Sequence, residues 1–84
     1  MINNKILKKQ IIYRSMHRGT KELDLLLGSF VKKYIEEFND AELKDLMDLL
    51  ISDDDVIYNF YFDREPNKTI AKTRVSEMFK KFKP

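Results

Sequence analysis

The sequence has 84 residues, which is the length of one small domain with a single core. Its 43% hydrophobic and 36% charged residues indicate a globular protein rather than a disordered one. The absence of cysteine excludes disulfides, thiolate catalysis and cysteine-ligated zinc. The net charge is only +2, but residues 1–21 contain no acid, residues 36–55 are strongly acidic, and the tail from residue 68 is basic. Such blocks are most often solvated helix faces.

The first two predicted elements are helices of very different clarity. The first runs from about Asn4 to His17, and its apolar residues are spread around much of the circumference, so the pattern does not define a buried face. The second has apolar residues at the spacing of one helix face, with Leu25 as the exception on the polar side. The predicted buried stripe consists of Leu23, Leu26, Leu27, Phe30, Val31, Tyr34, Ile35 and Phe38.

Capping signals predict where the next two helices begin. Asn39 and Glu42 form the pattern of a capping box at the start of the third helix. The acidic triplet Asp53–Asp55 suits the first turn of a fourth helix, because carboxylates complement the positive end of the helix dipole. The following run, Val56–Phe62, has the composition of a strand. A single strand among helices would leave its backbone groups unpaired, so we predict a short, largely buried helix.

A fifth helix is predicted from about Asn67 to Phe82. We therefore predict an all-α fold, a compact five-helix bundle, with residues 1–84 forming a single domain. No apolar run approaches the roughly 20 residues that span a bilayer, so no direct membrane insertion is expected.

The sequence shows no arrangement of catalytic or metal-binding residues. His17 is the only histidine and has no companion ligand at a metal-site spacing. Asp53–Asp55 lacks the ligand pattern of a calcium loop, and helix capping explains it better. The two glycines, Gly19 and Gly28, do not form a phosphate-binding loop, and the second suggests close helix packing or a kink. We predict a binding protein rather than an enzyme, with no catalytic residue and no metal site.

The segment that joins the first two helices has two interpretations. Gly19 can adopt a positive φ and end the first helix, or it can serve as the N-cap of the second helix with Glu22 at position N3. Arg18 and Glu22 then suit the helix dipoles and can form an exposed ion pair worth roughly 0–1 kcal/mol. We call this segment between the first two helices the corner. On local chemistry alone, a purely structural role for the corner is favoured over a binding site.

Family resemblance favours the binding site. The motif Arg18-Gly19-x-x-Glu22, followed by Leu-Asp-Leu-Leu-Leu-Gly-x-Phe, resembles the signature of the SdhE family, the succinate dehydrogenase assembly factor 2 or flavinylation factors. The similarity extends over about residues 10–80 and includes the Asn39 cap and the Asp53-Asp54 pair. Two departures, Phe60 in place of tryptophan and Glu65-Pro66 in place of glycine, concern packing and a turn.

The resemblance implies an assembly factor or chaperone that binds the flavoprotein subunit of succinate dehydrogenase, and in some bacteria that of fumarate reductase. Such proteins promote covalent attachment of FAD to a histidine of the partner and hold no cofactor stably themselves. We accordingly predict a monomer when free, with an outward-facing corner that contacts the partner. The predicted contact residues are Arg18, Gly19, Glu22, Asp24 and Leu25. The role of Leu25 as an apolar anchor follows from helix periodicity, and its burial against the first or fifth helix is the alternative.

A small basic helical regulator that binds nucleic acid is the second functional hypothesis. The basic N-terminal block and tail favour it, whereas the acidic central stretch and the lack of a clear helix-turn-helix pair oppose it, so no nucleic-acid partner is predicted. For location, the lack of a recognisable presequence favours a bacterial cytoplasm, with the mitochondrial matrix as the alternative.

Overall fold

The computed structural model describes residues 4–62 and 70–84, and within these ranges the chain is helical and contains no strand. The helices are α1 (Asn4–Met16), α2 (Lys21–Tyr34), α3 (Asp40–Leu50), α4 (Asp54–Phe62) and α5 (Arg74–Lys81). A short 3-10 helix, Ile35–Glu37, continues α2. The all-α five-helix fold is confirmed, as is the helical interpretation of the aromatic run that forms α4. No helix in the described ranges combines the length and the apolarity that crossing a membrane requires.

Helix α2 supplies the centre of the core. Every member of its predicted stripe is buried except Tyr34, which is half-buried against the same core. The ring of Phe30 lies 5.5 Å from that of Phe79 and 5.4 Å from that of Phe82, in edge-on contacts that join α2 to the α5 region. The 3.6-residue spacing therefore identified the correct face of this helix.

Helix α1 packs against α2 and α3 with few side chains. Ile11 and Ser15 are its buried residues, and the Ser15 hydroxyl donates to the Ile12 carbonyl at 2.8 Å. Ile6 and Tyr13 are exposed although they are large and apolar. The sequence could not define the buried face of α1 because most of its apolar residues do not enter the core.

Gly28 lies on the side of α2 that faces α1, and it is buried. A Cβ added to it would lie 3.7 Å from Met16 Cγ, which is ordinary van der Waals contact. The glycine is therefore not required by unusually close helix packing, contrary to one of the two explanations offered for it.

The predicted capping box at α3 is confirmed. The Glu42 amide donates to Asn39 Oδ1 at 2.8 Å, and the Asn39 amide donates to Glu42 Oε1 at 3.1 Å. The pKa of Glu42 is lowered from its ordinary value, first by the hydrogen bond from the Asn39 backbone and then by hydrogen bonding to Arg74. The cap therefore both ends the loop and holds this carboxylate in its charged form.

The predicted start of the fifth helix is wrong. α5 begins at Arg74, because Thr73 is its N-cap and forms a second capping box with Ser76. The Ser76 amide donates to Thr73 Oγ1 at 3.0 Å, and the Thr73 amide donates to Ser76 Oγ at 2.9 Å. Asn67, where the helix was expected to begin, and the Glu65-Pro66 departure lie outside the described residues.

Candidate functional site

Arg18 joins the α1–α2 connection to the junction between α3 and α4. Its Nη1 donates to the Leu50 carbonyl at 2.6 Å and its Nη2 to the Ser52 carbonyl at 2.8 Å, both at the C-terminal end of α3. Its Nε donates to Asp54 Oδ1 at 2.8 Å, and Nη2 lies 2.7 Å from the same oxygen. A cation is favoured where a helix ends and an anion where one begins, so the arginine and the aspartate each suit their position. The Arg18 side chain is only 10% exposed.

Gly19 contacts the same aspartate through its backbone. Its amide donates to Asp54 Oδ2 at 2.7 Å, and a Cβ added to the glycine would lie 2.7 Å from that oxygen. Its φ is not in the left-handed region, so the expected positive φ is not what requires glycine. Glycine is needed here for space, because any side chain would displace a carboxylate already held by Arg18.

Thr20, not Gly19, is the N-cap of α2, which corrects the predicted register of this cap. Its Oγ1 accepts a hydrogen bond from the Leu23 amide at 3.2 Å. Asp24, in the first turn, accepts from the Arg18 amide at 2.6 Å, so its carboxylate fixes the chain that enters the helix. Thr20 is well suited to this position because its hydroxyl satisfies an amide that the first helical turn leaves unpaired.

The expected ion pair between Arg18 and Glu22 does not form. Arg18 pairs with Asp54 instead. Glu22 is exposed, and its side chain makes no hydrogen bond or ion pair with any residue in the described ranges. The expectation that Arg18 points outward is contradicted, because the chain itself supplies acceptors for its guanidinium at the α3–α4 junction.

Leu25 is 62% exposed, which decides between the two alternatives left open for it. It borders a groove of about 290 Å³ between α2 and α4, hereafter the α2–α4 groove. Phe62, at the end of α4, is 47% exposed and lies beside Tyr58 and Tyr61, with ring centroids 4.6 and 4.9 Å away. The residues that line the groove are Glu22, Leu23, Leu25, Leu26, Tyr58, Tyr61, Phe62 and Pro84.

The five predicted contact residues thus separate into two groups. The Arg18 side chain, the Gly19 amide and the Asp24 carboxylate hold the corner together from within. Glu22 and Leu25 are exposed beside the groove. Contact of any of the five with a partner stays a prediction.

Sequence reasoning did not anticipate the part that Asp54 and the α4 aromatics play here. Asp54 was assigned chiefly to helix capping and noted in the family resemblance, and no pattern of local spacing connects it to Arg18, 36 positions earlier. Helix α4 was predicted to be largely buried, but Ile57 is its one buried residue and Phe62 is exposed, because so small a domain cannot bury every ring.

The chain is thus a small helical domain with an exposed, largely apolar groove. The family model described as flavinator of succinate dehydrogenase matches residues 9–83, and the chain belongs to this family. No solved structure shows significant similarity to the chain.

Curated relatives agree with this assignment. The chain is similar to succinate dehydrogenase assembly factor 2, mitochondrial, of Schizosaccharomyces japonicus, with 32% identity over 93% of this chain and 55% of the relative. It is also similar to the proteins of that name from Danio rerio (34% identity, 92% of this chain, 50% of the relative) and Dictyostelium discoideum (41%, 70% and 45%). The chain therefore spans about half the length of these relatives.

The predicted location in a bacterial cytoplasm is wrong on this comparison. The relatives are named mitochondrial proteins, which points to the mitochondrion instead. The prediction relied on the first residues of the sequence, which carry no information about a presequence where the relatives are about twice as long as the region compared.

Proposed function

We propose that this chain is an assembly factor that binds the flavoprotein subunit of succinate dehydrogenase and promotes covalent attachment of FAD to that subunit. The observation that carries the proposal is the match of the flavinator family to residues 9–83, nearly the whole domain. The flavoprotein subunit of fumarate reductase is a second partner to be tested, as the family resemblance implies.

The proposed mechanism requires no catalytic group on this chain. A binding protein changes the population of its partner's conformations whenever it binds one of them more tightly than the others. Binding to the conformation in which flavin and attachment histidine are adjacent would therefore promote the reaction. Both reacting groups belong to the partner, so His17 has no part in the bond, and this chain holds no FAD stably.

Contacts within the chain hold the corner in one arrangement, which favours such binding. Arg18 connects it to the C-terminal end of α3, and Asp54 connects it to the first turn of α4. Rigid contact residues lose little conformational entropy on association, which favours affinity. In this proposal Glu22 and Leu25 contact the partner, whereas Arg18, Gly19 and Asp24 act by holding those two residues in place.

Co-expression with the flavoprotein subunit tests the proposal. Covalently bound flavin is measured as fluorescence that survives denaturing electrophoresis. We expect this signal to depend on the chain and to fall several-fold with Glu22→Ala, because an exposed contact is lost while the fold remains. The matched control is Glu37→Ala, which removes an exposed carboxylate from the 3-10 helix. Equal flavin attachment with and without the chain would refute the function.

A further inference from the structure

We propose that the α2–α4 groove receives an apolar side chain from a segment of the flavoprotein that also carries a lysine or arginine for Glu22. This inference rests on the proposed function and adds to it the contact surface and the chemistry of the segment recognised. The corner motif alone does not indicate the groove, because Tyr58, Tyr61 and Phe62 come from α4.

The apolar character of the groove favours a protein contact. Leu25 and Phe62 each leave a large apolar surface in water, and they line one groove rather than lying apart. Single exposed apolar residues are normal on a protein surface, whereas adjacent ones that line a concave site indicate binding.

The groove exists before any partner binds. Leu23 and Leu26 anchor its α2 side in the core. On the α4 side the Tyr61 hydroxyl donates to the Phe82 carbonyl, and the Tyr61 ring packs against Phe79 at 5.1 Å. A preformed apolar site with one hydrogen-bonded aromatic wall reduces the entropy that binding costs.

The size and charge of the groove select its occupant. A volume of about 290 Å³ is at the small end of ligand pockets, which run from roughly 300 to 1,000 Å³, so it suits a side chain better than a dinucleotide. Glu22 is the only charged side chain among the described residues that line it. An apolar anchor beside a cation is complementary to that lining.

A second copy of this chain fits the groove less well. In a two-fold dimer with the groove on its symmetry axis, the groove of one subunit would face that of the other. Among the described residues, the lining supplies Glu22 to such a contact and no cation to pair with it.

Affinity measurements on the full chain test the inference. The dissociation constant for the apo flavoprotein is measured by calorimetry for the wild-type chain, Leu25→Ser, Phe62→Ser and the control Ile51→Ser. Ile51 is 59% exposed, close to the 62% of Leu25; it is the C-cap of α3 and is not among the residues that line the groove. We expect each groove variant to raise the dissociation constant at least about tenfold, as loss of an anchor does, and the control to change it by less than about twofold.

Charge is tested separately with Glu22→Gln and the control Glu37→Gln. We expect Glu22→Gln to weaken binding and to reduce its dependence on salt, and the control to leave both unchanged, because only a paired contact charge is sensitive in this way. Thermal melts by circular dichroism confirm that every variant is folded.

Three outcomes overturn the inference: groove variants that bind as tightly as the Ile51 control, salt dependence unaltered by Glu22→Gln, or sedimentation that shows a wild-type dimer dissociated by Leu25→Ser. If wild-type protein binds the flavoprotein and supports flavin attachment while the groove variants do so equally, only the inference fails. If wild-type protein does neither, the proposed function fails.

Discussion

Arg18→Ala removes the contacts that connect the corner to α3 and α4. The Leu50 and Ser52 carbonyls lose a charged donor, and Asp54 loses its ion-pair partner. Hydrogen bonds to charged groups contribute roughly 1.5–3 kcal/mol, and breaking a buried ion pair costs roughly 3–5 kcal/mol. Because Asp54 is 33% exposed, water solvates part of the charge left behind, and we expect a total loss of about 2–4 kcal/mol.

That loss is a large share of the stability of so short a chain. A domain of this length has a free energy of unfolding of roughly 4–13 kcal/mol. The melting temperature should fall by about 10–30 °C, since each kcal/mol corresponds to roughly 4–8 °C in small domains. Arg18→Lys should give an intermediate loss, because a lysine ammonium cannot contact three acceptors in the planar arrangement of a guanidinium.

Urea unfolding followed by far-UV circular dichroism measures the effect. Glu22→Ala is the comparison from the same motif, and we expect it to change the free energy of unfolding by less than about 1 kcal/mol, chiefly through the helix dipole. If Arg18→Ala instead unfolds within about 0.5 kcal/mol of wild type, the structural role assigned to Arg18 is refuted.

Three further substitutions test other parts of the structure. Gly19→Ala should destabilise the protein by roughly 1–3 kcal/mol in the same urea assay, because the new methyl group displaces the Asp54 carboxylate; unchanged stability would contradict this. Gly28→Ala should stabilise it by about 0.5–1 kcal/mol, since Met16 leaves room for the methyl group, and a lower melting temperature would show that the site is too tight. For Glu42 the lowered pKa means that the ionised carboxylate stabilises the folded state above about pH 4.5, its ordinary value, and that this stabilisation is lost as the pH falls through the lowered pKa. Glu42→Gln should therefore be less stable than wild type at neutral pH and equally stable in strong acid; a difference that persists in acid would exclude this linkage.

The helices that bury one clear face were predictable from sequence. The α2 stripe and the Asn39 capping box depend on residues within a few positions of one another, and the structure has both. The start of α5 was predicted too early. The capping box that begins this helix at Thr73 has serine at position N3, where the usual sequence pattern has glutamate or glutamine. The buried face of α1 could not be predicted, because only Ile11 and Ser15 of this helix are buried.

The site was predictable in part, because only some of its features depend on residues that are close in sequence. Helix periodicity placed Leu25 on the polar side of α2 but left both exposure and burial open, and the structure shows that Leu25 is exposed. The orientation of Arg18 depends on Leu50, Ser52 and Asp54, which lie 32 to 36 positions away. Local spacing carries no information about such contacts, so the sequence could not indicate that the guanidinium has acceptors within the chain.

The inward position of Arg18 affects how genetic variants at this motif should be understood. A cell that carries a substitution there would contain less of the protein, because chaperones and proteases remove chains that spend more time unfolded. Under the proposed function, a substitution at Glu22 would leave normal amounts of a protein with impaired binding. Immunoblot abundance would therefore distinguish a variant that lowers stability from one that alters an exposed contact.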